Sequence, residues 1–207
     1  MNEAQEWLRW WTEGYWQRAD ESWHRLAFFE QPAPLTERLQ SLDPQLIARQ
    51  LGLDARLPPA PHAQTCALLA LTPPQQGYAL RLVAEICSLL SPHTDAPHTD
   101  DALAEQTQLW CKRISRALRP GLWLPENLSP PWQVTVLILL RHALPTGCWQ
   151  RVRFLFPAEW VVPSEAESSN TLTLNKLQPL WQAALWQASL PILASSGPAQ
   201  ETHHVAA

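Results

Sequence analysis

The sequence predicts an all-α protein, a single irregular multi-helix domain with Pro-rich connections. Three observations carry this. Apolar residues recur at three- and four-residue spacing in one segment after another. Twenty prolines against six glycines punctuate those segments at their ends. No two alternating runs are joined by Asn-Gly or Asp-Gly, so there is no hairpin signal.

Residues 2–30 read as helix, because Trp7, Trp10, Trp11 and Tyr15 share a broad apolar face. Trp16, Trp23, Leu26 and Phe28/Phe29 make a second set, and Gly14 weakens the middle. Short helices are expected over Leu35–Leu42 and after Asp43-Pro44, where Asp caps and Pro takes the first turn. Gly52 is a C′ stop for the second. Leu57-Pro58-Pro59-Ala60-Pro61 is a rigid linker. Ala63–Leu71 is a short apolar helix, and Gln75–Leu90 a core helix.

Ser91 to Asp100 is a loop with a repeated Pro-His-Thr-Asp. Ala102–Leu118 is helix, with Leu103, Gln106, Leu109/Trp110, Arg113/Ile114 and Ala117 on one side and Pro120-Gly121 ending it. Trp132–Leu144 is apolar throughout, which fits a buried strand or a buried helix. Its length and the Ser129-Pro130-Pro131 start favour helix. Gly147–Phe156 comes next in helical register, then an acidic loop from Pro163 to Asn170. The last helix lies around Trp181, Leu185, Trp186 and Leu190. The expected division is residues 1–31 as a Trp-rich N-terminal segment, 32–194 as the main helical domain and 195–207 as a disordered tail.

A net charge of −4 leaves no footprint for a nucleic-acid binder. The charge is uneven, however. Residues 101–160 hold seven Lys/Arg against four acids, between acidic flanks. Such a stretch favours an acidic surface, either a partner's or the chain's own N-terminal half. Cys66, Cys87, Cys111 and Cys148 lie in apolar or mixed stretches without a C-x-x-C pair, so they read as reduced and buried. No signal-peptide pattern opens the chain, and the longest apolar run, Val134–Leu140, is well short of a membrane span. A cytoplasmic location is expected.

No constellation for chemistry stands out. His93 and His98 with Asp95 and Asp100 match no standard metal-ligand spacing. Cys148 with His142 would need an activated thiolate in contact with a base, and the Leu, Trp and Pro flanks favour an inert thiol. Accordingly no catalytic, cofactor-binding or metal-binding residue is assigned, no cofactor is expected, and the chain reads as a binding protein and not an enzyme.

Twelve tryptophans are the compositional outlier. In a regular helix Trp7, Trp10, Trp11 and Trp16 spread around most of the cylinder, so some should be left for another chain. Trp and Arg are also enriched at interface hot spots. The residues expected to bind partners are Trp10, Trp11 and Trp16 at the N-terminus and Trp149, Arg151, Arg153 and Trp160 in the basic stretch.

Trp110 to Trp160 runs WCKRISRALRPGLWLPENL, then WQVTVLILLRHALP, then WQRVRFLFPAEW. A helix leads into a Trp-Leu-Pro turn, an apolar helix ends in Leu-Leu-Arg, and Trp149-Gln150-Arg151-Val152-Arg153 precedes a Phe-Pro. This outline resembles the SctK group of bacterial type III secretion proteins, of which YscK and HrpD are member names. The upstream LLALTPPQQ is similar in layout, and WLRWWTEGYW is similar to the plant-pathogen Hrp branch. The resemblance implies a sorting-platform adaptor that joins the cytoplasmic domain of the inner-membrane ring to an SctQ-type platform protein, with no catalytic residues. The alternative is a type III secretion chaperone or another protein binding one client.

Overall fold

Proline or threonine is the residue just before the helices that begin at Pro73, Trp132, Thr146, Ala158 and Leu174, where an extended backbone precedes the first turn. In the computed structural model, which describes residues 3–24, 48, 51–53, 57–90, 105–125, 131–167 and 172–190, every regular element is helical. The protein is therefore all-α, as predicted.

The chain opens with α1 (Glu3–Arg9), a π-helical turn (Trp10–Gly14), α2 (Tyr15–Gln17) and α3 (Glu21–His24). Then come α4 (Ala63–Ala70) and α5 (Pro73–Ile86). Next are α6 (Glu105–Leu118), a 3-10 turn (Pro120–Leu122) and α7 (Trp132–Ala143). α8 (Thr146–Val152) runs into a 3-10 turn (Arg153–Leu155). α9 (Ala158–Ala166) and α10 (Leu174–Ser189) complete the fold.

α5, α7 and α10 pack on one another at the centre. α7 is the most enclosed, with Val134 through Leu140 all buried, so its uninterrupted apolar run is a helix surrounded by protein and not a strand. α6 lies on α5 and α10, α4 on α10, and α9 on α7. The N-terminal segment lies against α8, the Arg153–Leu155 turn and α9. The expected boundary at 31/32 is not a division of the core. Trp7, Trp10, Trp11, Tyr15, Trp16 and Trp23 belong to the same buried cluster as Leu137 and Leu180.

Helix ends are satisfied locally and from a distance. The Gln75 side chain accepts from the Thr72 amide ahead of α5 (3.0 Å). The last carbonyls of α4 are taken by other elements: Gln76 donates to Leu68 (3.1 Å) and Leu71 (3.3 Å), and Arg18 donates to Leu69 (2.8 Å) and Leu71 (3.1 Å). Gly52 has φ +65 and Leu53 N–H closes onto Ala48 (2.8 Å), which is the expected C′ stop. The short helices expected over Leu35–Leu42 and 44–47, the Pro-His-Thr-Asp loop and the 195–207 tail lie outside the described residues.

Two expectations change. The acidic loop expected from Pro163 begins as helix, because α9 continues through Pro163 to Ala166. Buried Val161 and Ser164 hold that last turn, and the Ser164 hydroxyl donates to Val161 O (2.7 Å). The inner face of α6 is also shifted by about one residue. Trp110, Cys111, Ile114 and Leu118 turn inward, whereas Leu109, Arg113 and Ala117 are exposed.

Candidate interaction surfaces

Of the seven residues expected to bind partners, Trp10, Trp11, Trp16, Trp149 and Arg151 are buried, and Arg153 and Trp160 are partly exposed. In an uninterrupted α-helix Trp16 would sit about 180° around from Trp7. The π-helical turn removes that spread. Tyr15 N–H reaches back to Trp10 O, and the extra residue in the turn rotates the downstream residues by about 100°. Thr12 assists by turning its hydroxyl onto Leu8 O (3.0 Å) and Arg9 O (3.1 Å). Tyr15 and Trp16 thereby return to the face of Trp7, Trp10 and Trp11, and all five are buried.

Two aromatic clusters result. Trp7, Trp10 and Trp11 pack in tilted and edge-to-face arrangements with ring centroids 5.2 to 6.3 Å apart, and Trp7 Nε1 donates to Pro59 O (2.8 Å). Tyr15, Trp16 and Trp23 surround Phe154 at 5.9, 5.9 and 4.8 Å. Trp23 Nε1 donates to Phe156 O (2.7 Å), and Asp20 N–H donates to Phe154 O (2.8 Å). These contacts tie the N-terminus to the chain around residue 155.

Arg151 is the hinge of that contact. Its guanidinium lies 3.8 Å over the Trp11 ring, and its Nε donates to Trp11 O (2.9 Å). At 4% exposure it is a core residue, not a group offered to a partner. Burial pushes the Tyr15 hydroxyl above its ordinary pKa, and the nearby Arg151 charge offsets part of this.

Arg153 is half-buried and paired. It donates to both Glu165 oxygens (3.1 Å each) and to Leu51 O (3.1 Å), beside the rings of Phe154 and Trp23. Glu165 also accepts from Trp149 Nε1 (2.9 Å). Trp149 is buried, and Trp160 is partly exposed while packed on the core. Of the seven, Trp160 alone presents an aromatic ring partly to solvent.

The groups left outside are different ones. On α6, Leu109, Lys112, Arg113 and Arg116 occupy successive i, i+3, i+4 and i+7 positions and are all exposed, and Arg119 comes next. No ion pair joins these cations to an acid among the described residues. Leu122 is 78% exposed beside them. Trp186 is 58% exposed on the outer face of α10. The α6 stripe was within reach of helical spacing; placing the helix's inner face one residue off hid it.

Three thiols have raised pKa values. Burial pushes Cys87 and Cys111 up to about 12, and raises Cys148, which has a hydrogen bond to Thr65. His142 is held below the ordinary imidazole value by burial and by Arg141 beside it. The described residues contain no cluster of three or more His, Cys, Asp or Glu suited to a metal, and no helix long and apolar enough to cross a membrane. No protein family, curated protein or solved structure matches the chain.

Proposed function

We propose that the protein is a cytoplasmic adaptor of a bacterial type III secretion apparatus, linking the cytoplasmic domain of the inner-membrane ring to the sorting platform. The observation that carries the reading is the outline of Trp110–Trp160, with its Trp-Leu-Pro turn, its apolar helix ending in Leu-Leu-Arg and its Trp-Gln-Arg-Val-Arg segment. An all-α fold is in keeping with that resemblance. So is a surface whose distinctive groups are exposed cations and large apolar side chains, the side-chain types that protein interfaces use.

Deleting the gene in its native bacterium tests the reading. Loss of all type III export, with ring or platform proteins recovered on the tagged chain, is the expected result. Normal export after deletion would overturn it. Loss of a single exported substrate, with a stable complex between that substrate and the chain, would replace the adaptor with a client-specific chaperone.

A further inference from the structure

α6 turns its apolar side inward and keeps a row of positive charge outside. Trp110, Cys111, Ile114 and Leu118 face α5 and α10. Lys112, Arg113 and Arg116 line the opposite face with Leu109 at its head, and exposed Arg119 follows just past the helix end in left-handed backbone. From Gln106 to Arg119 the sequence contains no acid. Among the described residues, Glu105 stands in the first turn of this helix and the charge of Glu85 on α5 acts on the inward-facing Cys111. Like charges at i, i+4 cost a helix stability, and a charge-neutral row would fold better. The fold-holding contacts of the central arginines are those of Arg151 and Arg153, while Arg116 in the last turn of α6 complements the helix dipole.

We propose that the outer face of α6, Leu109, Lys112, Arg113 and Arg116 with Arg119 and Leu122, docks an acidic amphipathic helix of a partner protein. Lys112 and Arg116 are one turn apart, about 6 Å along the axis, which is the spacing of carboxylates at i, i+4 on a facing helix. Leu109 and Leu122, 50% and 78% exposed, stand before and after the cations in sequence and are apolar groups available to a facing helix. Charge complementarity selects the occupant. A bilayer surface calls for a helix whose apolar face is free to insert, and here that face is covered by α5 and α10. A nucleic acid calls for a basic domain, and this chain has a pI near 6.0 and a net charge of −4. The inference rests on α6 and stands apart from the secretion reading, so either can fail without the other.

The test uses the full chain and a fluorescein-labelled helical peptide of about 20 residues, long enough to hold helix by itself. Its Ala/Gln scaffold carries Glu at i, i+3, i+4 and i+7 with Leu at each end. Anisotropy should show binding that weakens at least about tenfold between roughly 50 and 500 mM salt. The counterpart with Gln for Glu should bind at least about tenfold more weakly, as should the Lys112→Glu/Arg113→Glu variant. A thermal melt of that variant at or above the parent's excludes misfolding. Binding of the Gln peptide as tight as the Glu peptide would overturn the proposal. So would undiminished binding by the variant, or tighter binding of single-stranded DNA or of phosphatidylglycerol vesicles than of the Glu peptide. Should the double variant melt early, Arg116→Gln alone is read in the same titration, and unchanged affinity again overturns the proposal.

Discussion

Two groups of basic residues lie between residues 101 and 160 and have opposite fates. Arg151 and Arg153 sit among aromatic rings, donate to backbone carbonyls and to Glu165, and connect the N-terminal helices to the rest of the core. Lys112, Arg113, Arg116 and Arg119 sit on the outer side of α6 and meet no acid among the described residues. Both groups are long cationic side chains from one basic stretch of the sequence. The element packed over each separates them. The N-terminal helices cover α8, whereas α6 packs on α5 and α10 and keeps Lys112, Arg113 and Arg116 exposed among the described residues. A buried guanidinium is tolerated where its fork finds carbonyls and a ring face, because an unsatisfied charge in the interior costs far more than the same charge in water.

Removing the aromatic cover should break the first group most severely. Trp16→Ala opens a cavity beside Phe154 and is expected to lower stability by about 4 kcal/mol, read from urea unfolding of the purified chain. A loss under about 1 kcal/mol would mean that the N-terminal helices are not part of the core.

Arg151→Ala should come second at about 3 kcal/mol, because it removes the cation over Trp11 and leaves Trp11 O buried without its donor. Arg151→Lys should restore only part of this, since an ammonium lacks the planar fork that stacks and donates together. Equal stability of the Lys variant and the parent would show that charge alone matters.

A smaller, pH-dependent loss is expected from the imidazoles. Burial holds His62 below its ordinary pKa, and burial with Arg141 holds His142 there. The unfolded chain therefore binds protons that the folded chain refuses. Stability is fully present above the unfolded-state value of about 6.5 and falls as pH drops through and below it. Thermal melts at descending pH should show a Tm that falls less steeply in the His62→Gln/His142→Gln variant. Parallel curves would rule out this source.

The smallest expected effect has the opposite sign. Lys112→Glu replaces a like-charge i, i+4 pair with a Glu placed N-terminal to Arg116, and should raise stability by about 0.3 kcal/mol. A measurable destabilisation would show that Lys112 has an unseen structural partner, and the contrast between the two groups of cations would narrow.

Much of the helical layout was legible along the chain. Trp132–Ala143 is helix where its length indicated one, and Gly52 ends a turn with the positive φ that its position suggested. The start of α5 at Thr72-Pro73-Pro74 accords with proline chemistry within three residues. The surface was much less legible. Helical spacing assigned the indoles of residues 7–16 around a uniform cylinder, and one π-helical turn collapsed that arrangement onto a single side. The inner face of α6 was displaced by one residue, because Leu109 and Trp110 are both apolar and only the neighbouring α5 and α10 choose between them.

Short-range physics therefore accounts for which segments are helical and where several of them start and stop. Caps, prolines and apolar spacing act within a turn or two of the residue that carries them. Which tryptophans are core and which cations face solvent depends on residues as many as 140 positions apart, Trp11 over Arg151 among them. Burial is a property of the segment that packs on top, and no local pattern records the position of that segment.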